Sequence, residues 1–178
     1  MDLRTERTRN NIKNAFLELR KQKPLEKITV KELAELAYIN KATFYTHYRD
    51  IYDLSNQLED DFIESVVHGI PHPESIITTP AVAVKELSDM LISQQEITSV
   101  LFSGSRQGYL SEKLYHSILN HINTIYPEGK DDLQRNITLS IIIHGHFHAY
   151  QLFANDENRE DVTRILGEIG TVLKKEFL

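Results

Sequence analysis

The sequence predicts an all-α protein, and three observations support that fold class. Apolar residues recur at i, i+3, i+4 and i+7 in almost every segment, and no segment alternates apolar with polar residues as a half-buried strand does. Capping residues begin many of these segments, and prolines or glycines follow several of them. No apolar run approaches the length of a membrane span, so no membrane partner is expected.

Capping residues set the boundaries of the predicted helices. Thr29 followed by Glu32 is a capping-box pattern, and Asn40 is a favourable N-cap for the next helix. Thr79 followed by Pro80 puts proline at the first helical position, where a helix needs no N–H donor. The predicted helices cover about residues 5–22, 29–37, 41–48, 50–68, 79–95, 98–103, 111–126, 131–153 and 159–177, with a loop at 69–75.

The composition excludes several kinds of site. The chain of 178 residues has no Cys, which excludes disulfides, thiolate metal sites and a cysteine nucleophile. It also lacks the G-x-S-x-G, Gly-rich phosphate-loop and H-E-x-x-H patterns of common enzyme classes. The polar segment 1–11 is unlike a secretory signal. We therefore expect a cytoplasmic protein that is not an enzyme and that uses no cofactor.

The charge is unevenly distributed along the chain. Residues 1–55 contain eleven Lys/Arg and eight Asp/Glu, a net charge of +3, whereas the remaining residues contain nine and eighteen, a net charge of −9. A basic N-terminal part on an acidic remainder suits a protein whose N-terminal part alone meets phosphate groups. Ordinary fluctuation is the alternative explanation, because +3 over this length is modest.

The segment 29–48, TVKELAELAYINKATFYTHY, predicts two short helices joined by a tight turn. This arrangement offers its second helix to the DNA major groove, with Phe44 and Tyr48 turned toward the first helix of the chain. The exposed side would contact bases and phosphate oxygens, and backbone N–H groups near residue 30 would seat a phosphate. A plain helical hairpin with aromatic core contacts is the alternative. The predicted DNA-binding residues are Thr29, Val30, Lys31, Lys41, Ala42, Thr43, Tyr45, Thr46, His47, Tyr48 and Arg49.

These residues resemble the N-terminal domain of TetR-family transcriptional regulators. The resemblance covers about residues 5–65, roughly a third of the chain, and the rest matches only in being helical and of the expected size. The matching features are Thr29 before an apolar residue, Leu33-Ala34, Ala37 before the turn, Thr43-Phe44-Tyr45-x-His47-Tyr48, and Leu54.

The resemblance implies a homodimer that binds a double-stranded DNA operator through two copies of the third helix. It also implies a pocket for a small-molecule effector in the C-terminal domain and dimer contacts through the last two long helices. By carry-over, Thr43, Tyr45 and His47 would contact DNA. Two positions depart from the family pattern: Tyr38 stands where Gly is frequent, and Ile51 stands where a phosphate-binding Lys is frequent, with Arg49 as its candidate replacement.

The predicted domains are a helix-turn-helix DNA-binding domain at 4–64 and a helical regulatory and dimerisation domain at 65–178. Within the second, residues 137–147 are apolar over more than one face, which predicts a core helix or an interface. This helix and the last one would form a four-helix bundle with those of a second copy. The candidate ligand-binding residues are Phe62, Phe102, Arg106, Tyr109, Tyr115, His144 and His148, although residues of these types on central helices are more often ordinary core than ligand contacts.

The histidines of the HGHFH sequence raise a second possibility. His144 and His148 share a helix face at i and i+4, a spacing that can hold a transition metal, but two ligands do not complete a site. A pair of hydrogen-bonded histidines is the simpler interpretation. Gly145 between them costs about 1 kcal/mol relative to Ala inside a helix and could permit close packing.

Three functions follow from these observations. The favoured one is a dimeric transcriptional repressor that a small molecule releases from DNA. The alternative is an activator or co-regulator of the same fold that acts through a protein partner. A metal-dependent enzyme using His144 and His148 is a remote third.

Overall fold

The computed structural model describes residues 3–72, 74–155 and 157–178, and the fold of these residues is all-α, as predicted. Strands are absent from these ranges, and no helix within them has both the length and the apolar character that crossing a membrane requires. The helices are α1 (Leu3–Gln22), α2 (Val30–Leu36), α3 (Lys41–Tyr45), α4 (Ile51–His68), α5 (Ser75–Thr78), α6 (Pro80–Ser93), α7 (Gln95–Leu101), α8 (Tyr109–Ile125), α9 (Leu133–Phe153) and α10 (Arg159–Phe177).

The largest differences from the sequence prediction concern α3, α5 and α7. Helix α3 ends at Tyr45, not at Tyr48. The N–H of Thr46 is shared between carbonyls three and four residues back, and that of His47 bonds to the carbonyl of Phe44, three residues back, which tightens the chain into a turn. The sequence does not predict helix α5, which is one turn long and has no side-chain cap to mark its start. Helix α7 starts at Gln95 rather than at residue 98.

The chain forms two compact units. The first contains residues up to Phe62 together with Glu96–Gly108, and the second contains Ile63–Gln95 and Tyr109–Leu178. The segment Glu96–Gly108, which the sequence analysis assigned to the C-terminal domain, therefore belongs with the N-terminal helices.

The core of the first unit fixes the position of α3. Helix α1 buries one apolar face that includes Phe16, and it packs on α2, which packs on α3. From α3 the Phe44 side chain enters this core and is 0% exposed. Burying a phenylalanine stabilises a fold by roughly 1.5–3 kcal/mol. Phe44 therefore anchors a helix of only five residues, which could not form alone.

The caps of α2 and α3 form as the sequence indicates, with one correction. The Thr29 hydroxyl accepts the N–H of Glu32 at 3.3 Å, and the Asn40 side chain accepts the N–H of Thr43 at 2.7 Å. The Glu32 carboxylate, which a capping box would return to residue 29, instead accepts from the Lys23 ammonium at 2.6 Å. The N-cap is therefore made, and the carboxylate holds α2 to the end of α1.

A buried ionic cluster attaches Glu96–Gly108 to the rest of the first unit. The Arg106 guanidinium donates to both carboxylate oxygens of Glu59, at 2.8 and 2.5 Å, and to the Asn56 side chain at 2.5 Å. The Ser55 hydroxyl also donates to Glu59, at 2.8 Å. Nearby, Arg20 donates to the Ser103 hydroxyl at 2.7 Å. We call Ser55, Asn56, Glu59 and Arg106 the Glu59 cluster.

Two glycines determine how helices meet in the second unit. A Cβ atom on Gly167 would lie 2.9 Å from the Cα of Ala81, and one on Gly170 would lie 3.1 Å from Pro80. Both glycines therefore permit close contact between α10 and α6. Gly145 on α9 is different, because a Cβ atom there would meet nothing within 4 Å in the described residues.

Replacing Tyr38 with Gly should stabilise the protein by about 0.5–1 kcal/mol. Tyr38 has φ of 56°, in the left-handed region, where a side chain costs roughly 1–2 kcal/mol and glycine does not. The side chain is 93% exposed, so little packing is lost, although glycine's greater freedom in the unfolded chain reduces the gain. Urea denaturation will measure the change. Tyr38→Ala is the control, and an equal gain for both variants would show that backbone strain is not the cause.

Candidate nucleic-acid interface and apolar cavity

Helix α3 has one exposed and one buried side. Lys41, Ala42, Tyr45 and Thr46 are exposed, whereas Phe44 is buried. The ring of Tyr45 is 57% exposed and meets the edge of Phe44, with ring centroids 5.5 Å apart. Tyr45 is thus oriented by the core while its outer edge and hydroxyl remain accessible.

The threonines of α3 use part of their hydrogen-bonding capacity locally. The Thr43 hydroxyl donates to the Asn40 side chain at 2.9 Å, and the Thr46 hydroxyl donates to the carbonyl of Thr43 at 2.7 Å. Each hydroxyl has therefore committed its proton and keeps its oxygen lone pairs as acceptors. The methyl group of Thr43 is the part suited to an apolar contact with a base.

Basic side chains border this exposed side. Lys41 forms no ion pair with any described residue, and Lys31 lies 4.0 Å from Glu35 on the exposed side of α2. Arg49 is exposed and lies 3.2 Å from Asp53. The pKa of the Asp53 carboxyl is lowered chiefly by the backbone N–H of Arg49, which donates to it at 2.8 Å, and less by the guanidinium. Ile51, the family-pattern departure, is buried in the core.

Among the predicted DNA-binding residues, one is buried and others are half-buried. Tyr48 is 6% exposed and packs against Phe44, with ring centroids 5.7 Å apart. Burial raises the pKa of its hydroxyl, with Arg9 opposing the rise. The Tyr48 side chain thus belongs to the core that holds α3 and leaves little surface for a DNA contact. Val30 is half-buried at the start of α2, beside the exposed cap Thr29, and His47 is half-buried after α3.

The second unit contains a cavity of about 90 Å³ that the sequence analysis did not anticipate. Side chains from α6, α8, α9 and α10 form its walls, and nearly all of them are aliphatic or aromatic, including Leu87, Ile118, Ile142, Phe147 and Leu166. The polar exceptions are Ser88, His146 and Tyr150. Such residues look like ordinary core in a sequence. The one available signal was the i, i+4 spacing of His146 and Tyr150 on an otherwise apolar helix.

Comparisons with known proteins add no family. No protein-family model, curated protein or solved structure matches the chain. The functional assignment therefore depends on the positions, burial and charges of the residues themselves.

None of the seven candidate ligand-binding residues from the sequence lines the cavity. Phe62 and Phe102 pack together in the first unit, with ring centroids 6.0 Å apart, and Arg106 lies in the Glu59 cluster. Aromatic and charged residues stand out in a sequence as candidate ligand contacts, but these three residues are buried in the core of the first unit. In the second unit Tyr109 and His148 are exposed. The ring of Tyr115 packs against that of His144, with ring centroids 5.0 Å apart.

The histidines do not converge on a common point. Glu112 accepts from His116 at 2.9 Å and lies 3.9 Å from His144, while the His146 ring nitrogen Nε2 donates to the carbonyl of Leu166 at 2.5 Å. Across the described ranges, no three His, Asp or Glu side chains are arranged to hold one metal ion. His144 and His146 therefore contribute contacts from α9 to α8 and α10.

Proposed function

We propose that this protein is a dimeric DNA-binding transcriptional regulator whose DNA affinity is controlled by a small molecule. One observation carries the proposal: α3 presents Lys41, Ala42 and Tyr45 to solvent, together with its C-cap Thr46, from a backbone anchored by the buried Phe44. A helix of five residues is about 7 Å long. It fits within a major groove about 12 Å wide, and a fixed backbone allows small differences between base edges to be read.

The side chains of α3 divide between two kinds of DNA contact. Lys41 and Tyr45 suit phosphate oxygens, because one carries an unpaired charge and the other an exposed hydroxyl on an oriented ring. Ala42 and the methyl group of Thr43 suit close apolar approach to a base, such as a thymine methyl. Arg49 would add a phosphate contact just after α3, at the cost of its exposed pair with Asp53.

A second copy of the chain suits the exposed apolar surface of α9 and α10. On α9 the exposed apolar residues recur every four positions from Leu133 to Ile141, with two more near the end of the helix. On α10 they recur every three or four positions from Ile165 to Val172, so each helix presents an apolar stripe. Two such pairs related by a two-fold axis can bury their stripes as a four-helix bundle. The exposed apolar residues are Leu133, Ile137, Ile141, Leu152 and Phe153 on α9, and Ile165, Ile169, Val172 and Phe177 on α10.

Gly145 supports the same arrangement. It lies on the face of α9 that also carries Ile141 and His148, and a Cβ atom there would meet none of the described residues beyond its own turn of helix within 4 Å. A glycine at mid-helix costs about 1 kcal/mol relative to alanine, so it needs a reason. Close approach of a partner helix would supply one.

Selection from random double-stranded DNA tests the proposed function directly. The full chain should enrich an inverted repeat whose half-sites lie about one helical turn, or a multiple of it, apart. Binding to the selected site should weaken steeply as salt rises, because neutralised phosphates release counterions. A pool without any enriched sequence, or enrichment only after a second protein is added, would reject direct operator recognition; the second result would favour the co-regulator.

Replacing Ile141 with Asp should dissociate the dimer. Ile141 is 56% exposed at the centre of the α9 stripe, so the change is tolerated in a monomer but buries two unpaired carboxylates in the proposed bundle, which costs several kcal/mol. We expect the dimer dissociation constant to rise by at least about tenfold, measured by analytical ultracentrifugation. Val82→Asp, at an exposed apolar residue of α6, is the matched control and should leave the dimer intact. Equal effects of both variants would argue against the stripe as the interface.

A further inference from the structure

The cavity of the second unit has the chemistry of a site for an uncharged molecule. Its described lining contains no Lys, Arg, Asp or Glu, and its walls are almost entirely hydrocarbon. A charged ligand would lose its hydration there without gaining a counter-charge, which is strongly unfavourable. An apolar ligand would lose nothing comparable, because it exchanges water for close contact with aliphatic side chains.

One polar atom of this lining has no partner. The Tyr150 hydroxyl is buried and forms no hydrogen bond with the described residues. An unsatisfied buried hydroxyl is destabilising, and such groups in native proteins call for an explanation. Burial raises the pKa of this hydroxyl, with Arg159 opposing the rise, so it is neutral and able to donate near pH 7.

The other two polar side chains of the lining are less suited to fixing a ligand. The Nε2 of His146 already donates to the carbonyl of Leu166 at 2.5 Å, a contact that joins α9 to α10. Ser88 carries a short side chain on α6. Of the three polar side chains, Tyr150 is therefore the one whose polar atom is buried and has no hydrogen-bond partner among the described residues.

We infer that this cavity binds a small uncharged molecule with an apolar body and one hydrogen-bond acceptor, and that the Tyr150 hydroxyl holds the acceptor. The lining and volume of the cavity support ligand binding whether or not the protein binds DNA. Only the ligand's role as the effector rests on the proposed function. The volume of about 90 Å³ limits the ligand's size. It is smaller than an engineered apolar cavity of about 150 Å³ that accepts benzene. One aromatic ring is thus near the upper limit, reached with slight expansion of the walls.

Three probes of similar size test this inference on the full chain: phenol, benzene and benzoate. Phenol supplies an apolar ring with one polar atom, benzene lacks the polar atom, and benzoate carries a charge. In NMR titrations we expect phenol to bind about fivefold more tightly than benzene, as one added hydrogen bond implies, and benzoate to bind more weakly than either. Benzoate binding as tightly as phenol, or no binding of phenol, would overturn the inference.

Two variants assign the polar contact. Tyr150→Phe keeps the ring and removes the hydroxyl, so it should erase the preference for phenol while leaving benzene affinity nearly unchanged. Ser88→Ala removes the other hydroxyl of the lining and should leave the preference intact. A preference that survives Tyr150→Phe, or one that Ser88→Ala erases, would refute the role of Tyr150. The comparison of probes on the unaltered chain remains decisive if a variant does not fold.

The outcomes separate this inference from the proposed function. If phenol binds with the expected dependence on Tyr150 but DNA selection enriches nothing, the cavity is a ligand site in a protein that is not a DNA-binding regulator. If DNA selection succeeds but none of the probes binds, the regulator stands and the inferred ligand class is wrong.

Discussion

On the proposed function, replacing Lys41 with Ala will weaken operator binding by the proposed dimer about tenfold and reduce its dependence on salt, without unfolding the protein. Lys41 is exposed at the first position of α3 and pairs with no described residue, so its ammonium is available for a phosphate. Each phosphate contact contributes about 0.9 to the slope of log affinity against log salt concentration. Loss of one contact per subunit should therefore reduce the slope by about 2. Fluorescence anisotropy at several salt concentrations measures both quantities.

Lys130→Ala is the matched control for this experiment. Lys130 is also an exposed lysine, but it lies in the second unit between α8 and α9, remote in sequence from α3. Its removal should leave the slope and the affinity unchanged, whereas Tyr45→Ala should weaken binding as Lys41→Ala does. Circular dichroism must show that each variant is folded. A folded Lys41→Ala protein with an unaltered salt slope would show that α3 does not meet the phosphates.

Replacing Arg106 with Met will destabilise the first unit by about 3–5 kcal/mol, the largest change in stability that the structure predicts. The partner carboxylate of Glu59 is 0% exposed, so removal of the guanidinium leaves a buried negative charge without its counter-charge. The same change also removes the hydrogen bond from Arg106 to Asn56. Urea denaturation followed by circular dichroism will report the loss.

Two comparisons separate burial of the charge from loss of an arginine in general. Arg164 forms surface ion pairs with Asp161 and Glu168, at 3.2 and 2.9 Å, so Arg164→Met should cost less than about 1 kcal/mol. Combining Arg106→Met with Glu59→Leu removes both charges and should recover much of the stability. If the double variant is as unstable as Arg106→Met alone, the unpaired charge is not the source of the loss.

The helices were predictable because the apolar spacing and capping residues that determine each helix lie within its own segment of the sequence. The spacing of Ile12, Phe16 and Leu19 identified the buried face of α1, and Asn40 marked the start of α3. Boundaries were less predictable where no side chain marks them, as at the uncapped helix α5. The burial of Phe44 was also predictable, because aromatic residues at i and i+4 lie on the same face of a helix and that face packs on the core.

The placement of distant segments was not predictable. Nothing near Glu59 in the sequence indicates that its counter-charge is Arg106, because the pairing depends on how the intervening chain folds. The cavity was missed for a related reason: aliphatic residues that fill a core and those that border a void have the same spacing. In the sequence, the aromatic residues Phe62 and Phe102 look more like ligand contacts than those aliphatic residues do, although the two rings pack on one another.

The attachment of Glu96–Gly108 to the N-terminal helices has a consequence for protein engineering. A chimeric protein is commonly made by joining the N-terminal part of one protein to the C-terminal part of another at a single position. A cut near residue 64 would here separate Glu59 from Arg106 and Arg20 from Ser103. A chimera that keeps the first unit must therefore include both the residues up to Phe62 and Glu96–Gly108. Otherwise the other parent protein must supply a cation for Glu59.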